Sequence, residues 1–152
     1  MNRKTVIIGI IALVIDQITK SLMQIYDVHF NIINEFLRLN YIQNTGAAWS
    51  ILEGKQYLLI GITILMLILV YNMSFSYDNN KLNNFTFGIL FGGIIGNLFD
   101  RVLYGMVRDF IDINVFGYNF PVFNIADMLI VLGVVILLIS TFKGELKKWK
   151  LK

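Results

Sequence analysis

The 152-residue sequence has no cysteine and contains only one histidine and one proline. The absence of cysteine excludes disulfide bonds, thiolate nucleophiles and cysteine-ligated metals. The single histidine, His29, excludes a metal site built from several imidazoles. Charged residues are also scarce, at 15%, whereas 57% of the residues are hydrophobic. A soluble domain has about 25% charged residues, so the composition predicts an integral membrane protein. Because the usual metal ligands are scarce, we expect no metal or other cofactor.

The net charge of +3 does not require a nucleic-acid partner. Most of the surplus lies in the C-terminal segment 143–152, where basic residues have an ordinary role beside a membrane. No repeat, linker or low-complexity segment divides the sequence. We therefore predict a single polytopic membrane domain over residues 1–152.

Apolar segments long enough to cross a bilayer, which takes about 20 residues, occur four times. They cover about 5–25, 57–73, 85–104 and 126–142. Arg3 and Lys4 precede the first segment, and lysines at 143, 147, 148, 150 and 152 follow the last. Because basic flanking residues stay in the cytoplasm, both termini are predicted to be cytoplasmic. Segments 26–56 and 105–125 then face outward.

The two outward segments contain strand-like stretches at 30–42 and 110–123, rich in β-branched and aromatic residues. Residues 117–119 (GYN) carry a turn signal within the second stretch. These patterns predict a small β-sheet lying on the outer membrane surface.

The carboxylates in or beside the spans all fall in the outer half of the membrane, at Asp16, Asp100, Asp109 and Asp127. A charge inside a span costs at least about 2.5–3.5 kcal/mol, so it usually has a partner or a function. Asp16 lies four residues before Lys20 and either pairs with it or lines a substrate site. Asp100 is more typical of a structural anchor near a helix end.

Asp109 and Asp127 have no basic residue that obviously neutralises both of them. Two carboxylates held close in a poorly solvated site cannot both ionise, and they share one proton. Such a pair suits peptide hydrolysis, in which one group activates a water molecule and the other binds the carbonyl oxygen.

The sequence resembles the lipoprotein signal peptidase family, or signal peptidase II, over nearly its whole length. The segments that carry the resemblance are 16–20 (DQITK), 44–49 (NTGAAW), 96–101 (GNLFDR), 109–112 (DFID) and 123–127 (FNIAD). Each is weak alone, but their order between four apolar spans is specific.

The resemblance implies an aspartic endopeptidase of the bacterial cytoplasmic membrane, with its active site at the outer leaflet. The fold would be mainly α, with four transmembrane helices, a small extracytoplasmic sheet or cradle, and a short helix over the site. The catalytic residues would be Asp109 and Asp127. The substrate-binding residues would be Asp16, Asn44, Gly46, Asn97, Arg101 and Asn124.

The partners implied are membrane lipid and diacylglyceryl-modified prolipoproteins, which a monomeric enzyme would cut just before the lipidated cysteine. Asn97 and Arg101 would donate hydrogen bonds to substrate carbonyls. The sequence departs from the family at Arg108, where Val is common, and at Met128, where Ser is common. If Arg108 faced Asp109, it would lower the pKa of that carboxyl group.

Three other functions are compatible with parts of the pattern. A transporter also places carboxylates in spans, although their confinement to the outer half gives a poor path across. A Ser/Lys peptidase would use Lys20 with Ser21 or Ser50, but adjacent residues of a helix point in different directions. A non-enzymatic scaffold would leave Asp109 and Asp127 unexplained.

Overall fold

The structure is a computed structural model that describes residues 1–33 and 36–143. The lysines at 147, 148, 150 and 152, which contributed to the predicted orientation, lie outside the described residues.

Four α-helices coincide closely with the four predicted apolar segments. They are α1 (Arg3–Ile25), α2 (Gln56–Phe75), α3 (Lys81–Tyr104) and α4 (Ile125–Lys143). Within the described residues, α1, α2 and α3 are long and apolar enough to cross a membrane. The fourth contains a shorter apolar stretch, Ile125–Thr141.

The central element is α3, against which α1, α2 and α4 all pack. Glycines on α3 permit this close approach on two sides. A Cβ atom at Gly92 would lie 2.5 Å from the Cβ of Ala12 on α1, and one at Gly93 would lie 2.6 Å from the carbonyl oxygen of Ala126 on α4. Any larger side chain at these positions would separate the helices.

A four-stranded antiparallel sheet confirms the predicted small sheet. Its strands are β1 (His29–Ile33), β2 (Leu37–Asn44), β3 (Val107–Val115) and β4 (Tyr118–Asn119), in that spatial order. The turn between β3 and β4 is formed by Phe116 and Gly117, both with positive φ. The predicted turn at 117–119 was therefore placed too late, because two residues of positive φ suit a tight hairpin and 118–119 pair as a strand.

The sheet joins the helices at one end of the molecule, since α1 and α3 run into it and α2 and α4 leave it. A single 3₁₀ turn, Ala48–Ser50, lies between β2 and α2. Gly105 ends α3 in the left-handed conformation, with φ of 73°, and its N–H group donates to the carbonyl oxygen of Arg101. This cap turns the chain directly into β3 and so sets the position of Asp109.

We expect Gly92→Ala to destabilise the protein by about 1–3 kcal/mol, because the added methyl group overpacks the α1–α3 contact. The measurement is thermal unfolding of the purified protein in detergent. Gly61→Ala on α2 is the matched control, since a Cβ atom there meets nothing within 4 Å and the helix propensity gain is the same in both. Equal melting temperatures for the two variants would contradict the proposed close contact.

Candidate active site

Asp109 and Asp127, the predicted catalytic pair, are joined through Asn124. The Asn124 Nδ2 donates to Asp109 Oδ1 at 2.6 Å, and the Asn124 backbone N–H donates to Asp127 Oδ2 at 3.1 Å. In return, the backbone N–H of Asp127 donates to Asn124 Oδ1 at 3.0 Å. This reciprocal pair of bonds is a capping box at the start of α4. The same residues that begin the helix therefore bring the two carboxylates together.

The remaining carboxylate oxygens of the pair accept hydrogen bonds from two more amides. Asn44, at the end of β2, donates from Nδ2 to Asp109 Oδ2 at 2.8 Å. Asn97, on α3, donates from Nδ2 to Asp127 Oδ1 at 2.7 Å. Each of the four oxygens thus has an N–H donor, and each keeps further acceptor capacity for a substrate or a water molecule.

Asp109 is buried, with 2% of the residue exposed. Burial raises the pKa of Asp109 to about 7, the neighbouring charge of Asp127 adds to the rise, and the hydrogen bonds from Asn44 and Asn124 oppose it. At neutral pH the pair can therefore retain a proton, as two close carboxylates in a poorly solvated site should.

Lys20 lies behind the pair and is completely buried. Its ammonium group lies 2.9 Å from Asp16 Oδ2 and 3.3 Å from Asp100 Oδ2, and it donates to Asn97 Oδ1 at 2.8 Å. These contacts occupy all three N–H groups. Because Asn97 accepts on Oδ1, its Nδ2 must point toward Asp127. The spacing of Asp16 and Lys20 predicted their pairing, but no local pattern predicts the contact with Asn97.

Asp16 is fully buried and lies outside the lining of the cavity described below. Besides its ion pair with Lys20, it accepts a hydrogen bond from the backbone N–H of Ala126 at 2.9 Å. The structure therefore places Asp16 behind Asp127, where it fixes the first turn of α4, and gives it no surface for the expected contact with substrate.

Arg101 and Gly46 connect α3 to the segment that follows β2. The Arg101 Nη2 donates to the carbonyl oxygen of Gly46 at 3.3 Å, and the Gly46 N–H donates to Asn44 Oδ1 at 2.9 Å. The buried Nε of Arg101 has no hydrogen-bond partner among the described residues. Since Arg101 lines the cavity, its guanidinium group borders the space that a bound molecule would occupy.

Arg108 does not face Asp109. It therefore makes no contact that would lower the pKa of the Asp109 carboxyl group. Its guanidinium group binds Asp100 instead, with Nη2 2.7 Å from Oδ1 and Nε donating to Oδ2 at 3.2 Å. Successive side chains of a strand point to opposite faces, which separates the two residues. Asp100 is fully buried and pairs with both Arg108 and Lys20, as its predicted structural role requires.

A cavity of about 790 Å³ opens beside the two carboxylates. Its polar end contains Asn44, Asn97, Arg101, Asp109 and Asp127. Its walls are aliphatic side chains of α2 and α4, among them Leu59, Ile62, Met66, Val131 and Val135. Met128, the departure next to Asp127, also lines it. The cavity therefore presents one charged end to an otherwise apolar occupant.

The geometry disfavours the Ser/Lys alternative for Ser21. All N–H groups of Lys20 are engaged, and the Ser21 hydroxyl accepts a hydrogen bond from Arg108 Nη1 at 3.2 Å. With its ammonium group engaged by Asp16, Asp100 and Asn97, Lys20 is not free to act as the base that a serine nucleophile would need. Among the residues that the structure describes, no cluster of three or more His, Asp or Glu side chains could hold a metal ion.

Comparison with known proteins gives a consistent result. A family model described as signal peptidase (SPase) II matches residues 8–143. Lipoprotein signal peptidases of Staphylococcus aureus strains RF122 and MRSA252 are 41% identical over 149 residues, which covers 95% of this chain and 91% of each relative.

Two solved structures, both described as bacterial membrane enzymes, have similar folds. One superposes with a TM-score of 0.81 at 37% identity and covers 97% of this chain and 94% of its own. The other has a TM-score of 0.79 at 39% identity, covering 91% and 92%. The chain belongs to the signal peptidase II family.

Proposed function

We propose that this protein is an aspartic endopeptidase that removes the signal peptide from diacylglyceryl-modified prolipoproteins, cutting just before the lipidated cysteine. Relatives that are 41% identical over most of the chain bear the name lipoprotein signal peptidase, and the buried carboxylate pair supplies a means of hydrolysis. Membership of this family favours a peptidase over the transporter and scaffold alternatives.

The observation that carries the proposal is the bridging of Asp109 and Asp127 by Asn124. One carboxylate of the pair is ionised and takes a proton from a water molecule. The oxygen of that water molecule attacks the scissile carbonyl carbon. The protonated partner donates a hydrogen bond to the carbonyl oxygen, and a proton is later delivered to the leaving nitrogen. The pair acts as one titrating unit, so the proton is not assigned to either residue.

The lining of the cavity favours a substrate that is itself embedded in lipid. Aliphatic walls on α2 and α4 suit acyl chains and the apolar part of a signal peptide. The polar end then meets the scissile peptide. Arg101, which lines the cavity, and Asn97, with one of its two Nδ2 hydrogens engaged, would donate to substrate carbonyls. Gly46 would act through the backbone.

Asn44 and Asn124 would set the carboxylates in place next to the substrate, and Asp16 would position α4 from behind. We further propose that all four helices cross the bilayer as a single domain with both termini in the cytoplasm. The sheet end, which carries the dyad, would then lie at the outer leaflet of the bacterial cytoplasmic membrane. The protein would act as a monomer without a metal or other cofactor.

We expect Asp109→Asn and Asp127→Asn each to reduce cleavage of a lipidated precursor by at least about a thousandfold, since either change removes a carboxylate from the dyad. The assay is release of signal peptide by the purified protein in detergent or lipid. Asp112→Asn is the matched control on β3, because Asp112 pairs with Arg38 outside the cavity.

Lipidated and unlipidated precursors should be compared in the same assay. Cleavage of neither precursor by the wild-type protein would refute the proposed activity. Full activity in either dyad variant, with the unmodified protein active, would refute the assignment of the dyad alone.

We expect kcat/KM to fall above about pH 7, approaching tenfold per pH unit, as the pair loses its shared proton and both carboxylates become charged, because the pKa of Asp109 is raised to about 7. The same shift affects stability. Because the pKa of Asp109 is higher in the folded state than in the unfolded chain, its stabilising contribution is complete below about pH 4 and is lost as the pH rises through about 7. Asp109→Asn should flatten this dependence in thermal unfolding measured from pH 4 to 8. An unchanged slope would contradict the raised pKa.

We expect EDTA and other chelators to leave the cleavage rate unchanged within a factor of two, because two carboxylates can complete the reaction without a Lewis acid. The measurement is the initial rate before and after exhaustive chelation. Loss of activity that zinc restores would overturn the proposed mechanism.

A further inference from the structure

Arg108 is a buried arginine that the proposed chemistry does not use. It is 1% exposed, it does not line the cavity, and it immediately precedes Asp109 in β3. Its backbone N–H donates to Asp100 Oδ2 at 3.1 Å, in addition to the two side-chain contacts with the same carboxylate. The start of β3 is thus attached to the end of α3 by three bonds to one acidic group.

The other guanidinium contacts reach α1. Nη1 donates to Ser21 Oγ and to Gln24 Oε1, both at 3.2 Å, and Nη2 donates to Gln17 Oε1 at 2.8 Å. Together with the bonds to Asp100, these use all five N–H groups of the side chain. The guanidinium carbon also lies 4.5 Å from the centre of the Tyr104 ring. A side chain with every donor engaged by two helices holds its own strand firmly in place.

Arg108 also completes a neutral group of buried charges. Asp16 and Asp100 carry two negative charges, and Lys20 and Arg108 carry two positive charges, all with side chains no more than 1% exposed. Without Arg108, Lys20 alone would face both carboxylates, and one uncompensated negative charge would remain behind the dyad. Although burial alone would lower the pKa of Arg108, Asp100 raises it above its ordinary value, so the residue stays charged.

We propose that Arg108 is a positioning residue for the peptidase reaction, which anchors the start of β3 and removes the excess negative charge behind the dyad, so that Asp109 keeps its place and its proton affinity. The inference rests on the proposed function. The other charged groups toward the sheet end of the surrounding elements are Arg101 on α3, Asp127 on α4, and the Arg38–Asp112 pair between β2 and β3. The remaining charged residues of these helices lie at their far ends, namely Arg3 and Lys4 on α1, Lys81 on α3 and Lys143 on α4. No charged residue occurs in α2.

The two roles can be separated by three variants. Arg108→Met removes both the anchor and the charge, so kcat should fall at least tenfold with little change in KM. The alkaline limb of the pH profile should also move upward by about 0.5–1 pH unit, because an excess negative charge makes Asp109 hold its proton more tightly. Arg108→Lys keeps the charge but lacks the planar fork, so kcat should fall and the limb should stay in place.

The double variant Arg108→Met with Asp100→Asn restores neutrality without restoring the anchor. Its kcat should remain low and its alkaline limb should return to the wild-type position. Arg38→Met is the matched control, because it removes a positive charge from the same sheet, where Arg38 is 36% exposed. Neither its kcat nor its pH profile should change.

The outcomes decide the inference in every case. A folded Arg108→Met protein with the wild-type kcat and pH profile would overturn it. If that variant does not fold, the double variant decides. A low kcat with the alkaline limb of the pH profile at the wild-type position supports the anchoring of β3 by Arg108, and a wild-type kcat refutes it.

Infrared titration of the protonated carboxyl band, with Asp109→Asn to identify the band, measures the proton affinity of Asp109 without turnover. If the wild-type protein cleaves no precursor, the proposed function fails. The titration then still shows whether Arg108→Met, or the double variant in its place, changes the proton affinity of Asp109 as expected.

Discussion

The hydrogen bonds of Asn124 are the interaction on which the site depends. Two carboxylates lie close together in a place with little water, and an unsatisfied buried carboxylate would cost several kcal/mol. Asn124 is fully buried and supplies one donor to Asp109 and another to Asp127, while its own oxygen caps the backbone N–H of Asp127. Beginning α4 and assembling the dyad are therefore a single structural event.

Behind Asn124, the buried polar groups form one connected network. Arg108 binds Asp100, Asp100 pairs with Lys20, Lys20 donates to Asn97, and Asn97 donates to Asp127. Buried ion pairs add little net stability compared with well-packed apolar residues, but removing one partner is strongly destabilising. The role of this network is therefore to hold the side chains around the dyad in one arrangement rather than to add stability. Each member has its donors assigned, so each amide near the dyad has a fixed orientation.

The features that could be predicted from the sequence are those that depend on local patterns and on long apolar segments. Four helices and a small sheet follow from hydropathy and strand propensity, and the pairing of Asp16 with Lys20 follows from helical spacing. The contacts of Arg108 with α1 were not predictable, because its partners lie 84–91 positions away and no periodicity connects them. The capping box at Asn124 and Asp127 was visible in principle, as an N-x-x-D pattern before an apolar run. That signal would have placed the two residues on one helical turn.

The distribution of polarity within the cavity limits where the proposed hydrolysis would occur. A developing negative charge on the carbonyl oxygen needs a nearby donor, and the lining supplies donors at Asn97 and Arg101 but none on the aliphatic walls of α2 and α4. Thr63, the hydroxyl residue on the α2 wall, donates to the Leu59 carbonyl within its own helix. A peptide bond lying along those walls would meet neither an acid nor a base. In the proposed mechanism, only a bond held at the sheet end, beside Asn124, would meet both, so the depth at which a substrate sits would determine which bond is cut.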